Sequence, residues 1–365
     1  VYEPPPSQNG ANFWAVGIDL STGRAAGTPS RITTGDDFVI QPSITSDGKH
    51  LVFNRIKPQE DVYLAEFFAK GPRLGMPRRL TLDDANDFPF DWTVDDKAVV
   101  FTSNRTGAGG VFNIFRQRID ETSAEMVVSG PEQKAISRLS PDGSQILYLV
   151  PPNPGDNGGQ RRSEVSDTKS ARIASQHARL MRAPLDGGPP QIVVEAPNIV
   201  NYQCSRAPAD VCVLSRIEAR QDVLSTFDSV KGNPHEVARP EETASGWNWS
   251  LSPDGTWIAL NTFSAGNNRI RLMSLSGRPT REITVKDWNS FTSIDWAADG
   301  KGFFVSSNPT GRLSTLLYVD LMGNAHSLWQ VKNNQATWAI PSHNGKYVAI
   351  PAPTVGSNVW MVDNF

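Results

Sequence analysis

The sequence has few of the groups that would indicate an enzyme, a metalloprotein or a membrane-spanning chain. Its five histidines form no close-spaced ligand pair, and the Gly-x-Ser-x-Gly motif of a hydrolase nucleophile is missing. No run of 18 apolar residues is present, and the net charge of −3 offers no basic surface for nucleic acid. We therefore expect no catalytic residue, no metal, no cofactor, no transmembrane segment in this chain and no nucleic-acid partner.

Turn-forming residues, in contrast, are abundant: the chain has 29 Gly and 27 Pro. The segment SPDGTWIALNT, residues 252–262, shows how they are used. Pro253 restricts φ, Asp254 can hydrogen-bond its own backbone, and Gly255 accepts a positive φ. The apolar, β-prone run that follows predicts a hairpin, and a single hairpin is only marginally stable in water.

This turn recurs along nearly the whole chain. Its Asp or Asn lies at positions 47, 95, 142, 254, 299 and 344, and a seventh copy, CSRAPADVCVL (204–214), divides the one long gap. Neighbouring copies are 45–48 residues apart, except where the polar segment 151–175 lengthens one unit. Third and fourth strands follow each hairpin. A period of this length with strand chemistry is typical of the four-stranded blade of a β-propeller.

The sequence thus predicts an all-β fold, a single β-propeller of four-stranded antiparallel blades over residues 1–365. Each end of the chain carries a third strand, which favours eight blades with incomplete terminal blades. Seven blades is the alternative, with SRITT (30–34) closing the last blade as its outer strand. We interpret 151–175, rich in Pro, Gly, Ser and charge, as an insertion loop within one blade, either mobile or a partner-binding arm.

The SPDG turns, FTSNRTG (101–107) and third strands such as DVYLAEF (61–67) resemble the TolB-like propeller repeats. The Gly-His and Trp-Asp pairs of tryptophan–aspartate repeats are missing. NFWAVGIDLSTGR (12–24), NDFPFDWT (86–93) and IVNYQCSRAP (199–208) are similar to C-terminal propeller regions of acidobacterial membrane proteins. That resemblance implies a serine/threonine kinase or winged-helix region upstream. The start at Val1, without Met, agrees with a processed or truncated product.

The best candidate for a ligand site is the mouth of the central channel, because equivalent positions of all inner strands meet around a propeller axis. The position four residues before each turn Asp or Asn is polar in most copies. A solvated channel wall is the alternative interpretation, and a cation held by two distant carboxylates is a weaker one. The candidate ligand residues at this position are Ser43, Asp91, Arg138, Gln203, Ser250 and Asp295.

A second candidate site is a rim of aromatic side chains in the segments that lead into the inner strands. Exposed aromatics there would suit a protein or peptide partner. Packing in the core is the competing interpretation for at least half of them. The rim candidates are Phe88, Tyr202, Trp249, Trp288 and Trp338, with Phe90, Trp247 and Phe291 beside them.

The only two cysteines, Cys204 and Cys212, flank the one turn that lacks the Asp-Gly signal. They take strand positions on the two arms of that hairpin, so their side chains can share a face. A disulfide there would hold a turn with weak intrinsic chemistry, and it requires an oxidising compartment. Two buried thiols in a cytosolic core is the alternative. The bridge favours a periplasmic or extracellular location.

Two classes of function remain open after these exclusions. One is a non-enzymatic binding or scaffold propeller that recognises a protein, peptide or ligand outside the cytoplasm, as the sensor part of a larger receptor. The other is a structural subunit of an extracellular assembly or filament, in which propellers self-assemble through their flat faces. Neither the partner nor the oligomeric state follows from the sequence.

Overall fold

The computed structural model describes residues 12–35, 37–106, 110–151, 177–219, 221–240, 246–309, 313–332 and 337–363. The regular elements in these ranges are β-strands joined by turns. Among the described residues, no helix has the length and apolar character needed to cross a membrane. All but the first residue of the predicted insertion 151–175 lies outside the described residues. The contacts between residues divide the chain into two compact units. The single propeller domain over residues 1–365 therefore stays a prediction.

Unit 1 comprises residues 1–60 and 353–365. Strands β1 (Trp14–Asp19) and β2 (Arg24–Arg31) form a two-stranded antiparallel sheet. Strand β3 (Phe38–Ile44) pairs with the first half of β4 (His50–Phe68) through the predicted SDG turn. The end of β28 (Tyr347–Asp363) also belongs to this unit. Its small core contains Phe13, Val39, Leu51 and Phe53, with Ile32 and Val362 against them.

Unit 2, residues 61–352, contains five complete four-stranded antiparallel sheets, which we call blades 1 to 5 in chain order. Blade 1 has β7 (Asp87–Trp92), β8 (Ala98–Ser103), β9 (Asn113–Arg118) and β10 (Glu125–Val128). Blade 2 has β11 (Ala135–Leu139), β12 (Gln145–Val150), β13 (His177–Pro184) and β14 (Gln191–Pro197). Blade 3 has β15 (Ile199–Cys204), β16 (Cys212–Glu218), β17 (Gln221–Asp228) and β18 (Gly232–Ala238).

Two of the remaining blades of unit 2 are continuous in sequence, and the third combines both ends of the unit. Blade 4 has β19 (Trp247–Leu251), β20 (Trp257–Thr262), β21 (Arg269–Ser274) and β22 (Arg281–Thr284). Blade 5 has β23 (Phe291–Trp296), β24 (Gly302–Ser307), β25 (Leu313–Asp320) and β26 (Ala325–Lys332). A sixth set, blade 6, combines β27 (Ile340–Pro341) and the start of β28 with the end of β4, β5 (Arg73–Leu74) and β6 (Arg78–Arg79).

The hairpin turns form as their local chemistry predicts. In blade 4, Gly255 has a φ of 68° and donates its N–H to the Ser252 carbonyl at 2.9 Å. The Asp254 carboxylate accepts the backbone N–H of Thr256 at 3.0 Å, and the Ser252 hydroxyl accepts that of Trp257 at 2.9 Å. These bonds are local in sequence, which is why the motif identifies the hairpins that carry it.

Hydrogen bonds and apolar packing join each blade of unit 2 to the next, and blade 6 to blade 1. The last of these joints includes the Trp92 indole N–H, which donates to the Ile340 carbonyl at 2.8 Å. Six buried apolar clusters lie between neighbouring blades, so the core is a ring of six layers. Trp92, Trp247, Trp249 and Trp296 are buried in these layers.

The predicted all-β propeller of four-stranded antiparallel blades is confirmed. The described residues form seven sheets, and six of them supply the blades of unit 2. The blade count is consistent with the predicted eight and with the alternative of seven. The N-terminal strands differ from the prediction. The strand after the SDG turn (50–53) and the third strand DVYLAEF (61–67) were expected to pair within one blade. Both belong instead to the continuous strand β4. A strand cannot pair with its own continuation, so the end of β4 joins β28, and residues 61–79, rather than SRITT, close the ring.

Candidate functional site at the channel mouth

Five of the six predicted ligand residues meet around the axis of unit 2. A cavity of about 70 Å³ is lined by residues of all six inner strands, and each strand contributes its residue at the predicted position. Ser43 is the exception: it lies exposed on β3 in unit 1 and does not line the cavity. The six inner-strand residues are Asp91, Arg138, Gln203, Ser250, Asp295 and Ile340.

The polar residues of this column connect neighbouring blades. The Asp91 carboxylate accepts the backbone N–H of Leu139 at 2.8 Å. The Gln203 side-chain oxygen accepts that of Leu251 at 2.7 Å. Further around the ring, the Ser250 hydroxyl accepts the backbone N–H of Trp296 at 3.2 Å. Much of the hydrogen-bonding capacity of the column therefore serves the joints between blades rather than a ligand.

The cavity contains charges of both signs in a confined space. Burial raises the pKa of Asp295 to about 7, while the positive charge of Arg138 and a backbone hydrogen bond from Ala339 act against the shift. The Arg138 guanidinium also reaches the Phe90 carbonyl at 3.5 Å. Among the described residues, no three His, Cys, Asp or Glu side chains are grouped to hold a metal ion.

The hairpin turn of blade 3, Ser205–Val211, lies across the mouth of the cavity; we call it the Arg206 turn. The Arg206 side chain reaches the opposite blade, where its guanidinium donates to the carbonyl oxygens of Pro341 at 3.0 Å and of Ser342 and His343 at 3.4 Å. The backbone N–H of Arg206 donates to the Pro253 carbonyl of blade 4, and the N–H of Ala207 donates to the Pro141 carbonyl of blade 2. One turn thus contacts three other blades.

The Arg206 turn is tied at its base. Cys204 and Cys212 are directly opposite each other on β15 and β16, with Cα atoms 4.0 Å apart, and their sulfurs form the predicted disulfide. Above the bridge, the Ser205 N–H donates to the Val211 carbonyl at 2.7 Å, and the Ser205 hydroxyl accepts the Val211 N–H at 2.9 Å. The disulfide and this pairing replace the missing Asp-Gly chemistry.

Three residues at the mouth were not predicted: Arg206, Asp96 and His343. Asp96 stands where other turns have Gly, and it keeps the positive φ of that position, 58°. Its carboxylate accepts the backbone N–H groups of His343 and Asn344 and lies 3.5 Å from the His343 ring nitrogen Nδ1. The sequence signal was the VDDK turn without glycine. His343, interpreted as an exposed polar residue, is half-buried, and burial lowers its pKa.

The aromatic rim prediction is wrong for three of its five residues. Phe88, Tyr202 and Trp249 are buried and make core contacts. The Tyr202 hydroxyl lies 2.6 Å from the Ile136 carbonyl and 2.5 Å from that of Leu147, so it joins blades 2 and 3. These aromatic side chains fill spaces between neighbouring blades, where they cannot contact a partner.

The other two rim residues are half-buried. Trp338 donates its indole N–H to the Pro89 carbonyl at 3.0 Å and stacks against Phe88. Trp288 packs against the apolar cluster between blades 4 and 5. Of the residues named beside them, Phe90, Trp247 and Phe291 are also buried.

A larger open groove lies between blades 1 and 2 at their hairpin turns, with a volume of about 450 Å³. Val94, 53% exposed, forms an apolar centre together with Leu185. Charged side chains of both signs surround this centre, and several are paired with each other, such as Arg116 with Glu125 at 2.8 Å. The charged residues that line the groove are Asp95, Lys97, Arg116, Arg118, Glu121 and Glu125.

No family model and no curated protein matches this chain. Solved propellers do. A putative TolB from Agrobacterium tumefaciens has a TM-score of 0.59 at 16% identity, covering 82% of this chain and 99% of that one. TolB from Acinetobacter baumannii has a TM-score of 0.51 at 12% identity, covering 95% and 78%. A chain of a nidogen/laminin complex scores 0.52 at 10% identity, covering 82% and 98%. These likenesses support the TolB-like propeller fold.

Proposed function

We propose that this chain is a non-enzymatic, protein-binding propeller that acts outside the cytoplasm, as the sensor part of a larger receptor. The proposal is supported chiefly by the small volume of the axial cavity and by the turn that covers its mouth. Ligand pockets of proteins usually measure about 300–1,000 Å³. The cavity here is about 70 Å³, enough for a few water molecules, and the chain's own Arg206 turn lies across its mouth. With the Arg206 turn in this position, recognition therefore uses the outer surface.

The groove between blades 1 and 2 is the surface we assign to the partner. Protein interfaces combine a small apolar centre with a polar rim, and the groove has this arrangement around Val94. The proposed location is supported by the Cys204–Cys212 disulfide, which needs an oxidising compartment. The similar solved structures include TolB proteins and a nidogen/laminin complex, which is an assembly of two proteins.

The test compares Val94→Glu with Val230→Glu, a matched control at an exposed valine (49%) on a turn of blade 3. The full chain is immobilised and exposed to the extracytoplasmic proteins of its source, and the affinity of each retained protein is measured. We expect wild type and V230E to bind one protein equally, and V94E to bind it at least about tenfold more weakly.

Equal binding by V94E would refute the assignment of the groove. Self-association of the chain, measured by light scattering and lost in V94E, would instead support the structural-subunit alternative. Catalytic turnover of any small substrate by the purified chain would refute the non-enzymatic proposal.

A further inference from the structure

The Arg206 side chain behaves as a ligand bound to another part of the molecule. Its guanidinium leaves blade 3 and is held by three carbonyl oxygens of one turn on blade 6, at 3.0 to 3.4 Å. Three acceptors converging from consecutive residues suit a planar group with several N–H donors. A compact ammonium group has fewer donors and a different geometry, so the arrangement discriminates between arginine and lysine.

The electrostatic surroundings also favour a cation at this place. Burial lowers the pKa of Arg206, whereas the carboxylates of Asp91 and Asp96 oppose that shift. Both carboxylates are held in position by hydrogen bonds that do not involve Arg206. Asp91 accepts the N–H of Leu139, and Asp96 accepts those of His343 and Asn344. The negative potential would therefore remain if the guanidinium left.

The contacts of the guanidinium are separable from the hairpin that carries it. The disulfide and the Ser205–Val211 hydrogen bonds join the two arms of this hairpin below the Arg206 turn. Ala207, Pro208 and Asp210 at the tip are exposed, so the turn can move outward into solvent once the backbone hydrogen bonds to Pro253 and Pro141 and those of the guanidinium are broken. A hairpin of this ring can form from local bonds alone, as the SPDG turn of blade 4 shows.

We propose that the mouth of the channel holds a guanidinium-binding site, which Arg206 occupies as an internal ligand and which accepts an arginine side chain of a protein partner when the Arg206 turn withdraws. The site consists of the carbonyl oxygens of Pro341, Ser342 and His343, and the carboxylates of Asp91 and Asp96 supply negative potential around it. This inference rests on the proposed protein-binding function and names the chemistry of one contact.

A tethered ligand competes strongly with a free one. A short tether gives an effective concentration on the order of millimolar or more, so a free guanidinium at low millimolar concentration will not displace Arg206 from the intact protein. Removal of the side chain leaves the site vacant. Removal of the disulfide loosens the tether and lowers the effective concentration of Arg206, so a free guanidinium can displace it at higher concentrations.

The experiment measures the thermal unfolding midpoint of the full chain against concentrations of methylguanidinium, with methylammonium at the same ionic strength as the matched probe. For Arg206→Ala we expect a saturable rise of the midpoint with methylguanidinium and none with methylammonium. Wild type should show no saturable rise. The variant Cys204→Ser/Cys212→Ser should show one at probe concentrations about tenfold above those needed for R206A.

An R206A midpoint that does not respond, or that responds equally to both probes, would overturn the guanidinium site. A C204S/C212S variant without any response would overturn the displaceable turn. If R206A fails to fold, Arg206→Gln replaces it, since glutamine can keep one hydrogen bond to the carbonyls. These readings concern the axial mouth and not the Val94 groove, so failure here and failure of the proposed function are distinguishable.

Discussion

Asp96 and His343, 247 residues apart in the sequence, are joined at the seam between blade 1 and blade 6 of unit 2. The Asp96 carboxylate accepts the backbone N–H of His343 and, at 3.1 Å, that of Asn344. Other turns have a glycine at the position of Asp96. An aspartate in the left-handed region is uncommon but tolerated, and here it provides a charged acceptor that glycine could not supply.

This relationship predicts that Asp96→Gly destabilises the protein although glycine suits the φ of 58°. The variant leaves two backbone N–H groups without their charged acceptor, at a cost of about 2 kcal/mol. Urea unfolding measures the change in the free energy of unfolding. Asp96→Asn, which keeps an acceptor oxygen, is the control and should lose less. A D96G protein as stable as wild type would show that the seam does not depend on this carboxylate.

The turn glycines differ in what surrounds them, which provides a matched pair. A Cβ at Gly143 would lie 2.1 Å from a methyl group of Val94, whereas a Cβ at Gly300 meets nothing within 4 Å. Both glycines have a positive φ, of 73° and 67°. Gly143→Ala should therefore destabilise the protein by about 1–3 kcal/mol more than Gly300→Ala, because only the former overpacks the joint between blades 1 and 2. If chemical denaturation shows the same loss of unfolding free energy for both variants, the positive φ alone accounts for both losses.

Asp295 gives the stability a dependence on pH. Its pKa of about 7 in the folded protein lies above its ordinary value of 3.8, so the folded state binds the proton more tightly than the unfolded chain. This contribution to stability is complete below about pH 4, falls as the pH rises from 4 to 7, and is lost above the folded pKa.

Asp295→Asn removes that titration. We expect the variant to be more stable than wild type at pH 8 and to approach wild type at pH 4, as measured by urea unfolding at each pH. A stability difference between D295N and wild type that does not change with pH would contradict the raised pKa.

The Cys204–Cys212 bridge should stabilise the protein and survive purification without reductant. A cross-link between two residues eight positions apart lowers the entropy of the unfolded chain, which adds about 2–3 kcal/mol to the free energy of unfolding. The variant Cys204→Ser/Cys212→Ser should lose about that much in the free energy of unfolding. Mass spectrometry with alkylation, before and after reduction, determines the oxidation state. Two thiols that alkylate freely in unreduced native protein would remove the bridge and the argument for an oxidising compartment.

Much of the fold was predictable because its signals are local. Each SPDG-type turn satisfies its own hydrogen bonds within six residues, as the Ser252 to Trp257 turn does, so a period of such turns predicts hairpins and their spacing without tertiary information. The column Asp91, Arg138, Gln203, Ser250 and Asp295 was predictable for the same reason, since a fixed offset from a local turn places each residue at the same height on its inner strand.

The sequence by itself therefore determined the hairpins and blades 1 to 5, and it favoured the pairing of Cys204 with Cys212 over two free thiols. Only the tertiary structure decided which N-terminal strand completes blade 6, because the partner strands come from opposite ends of the chain and strand pairing does not depend on sequence distance. It also decided the role of Arg206, whose acceptors are carbonyl oxygens 135 to 137 residues away. Every residue carries a carbonyl oxygen, so a site built from the backbone leaves no motif in the sequence.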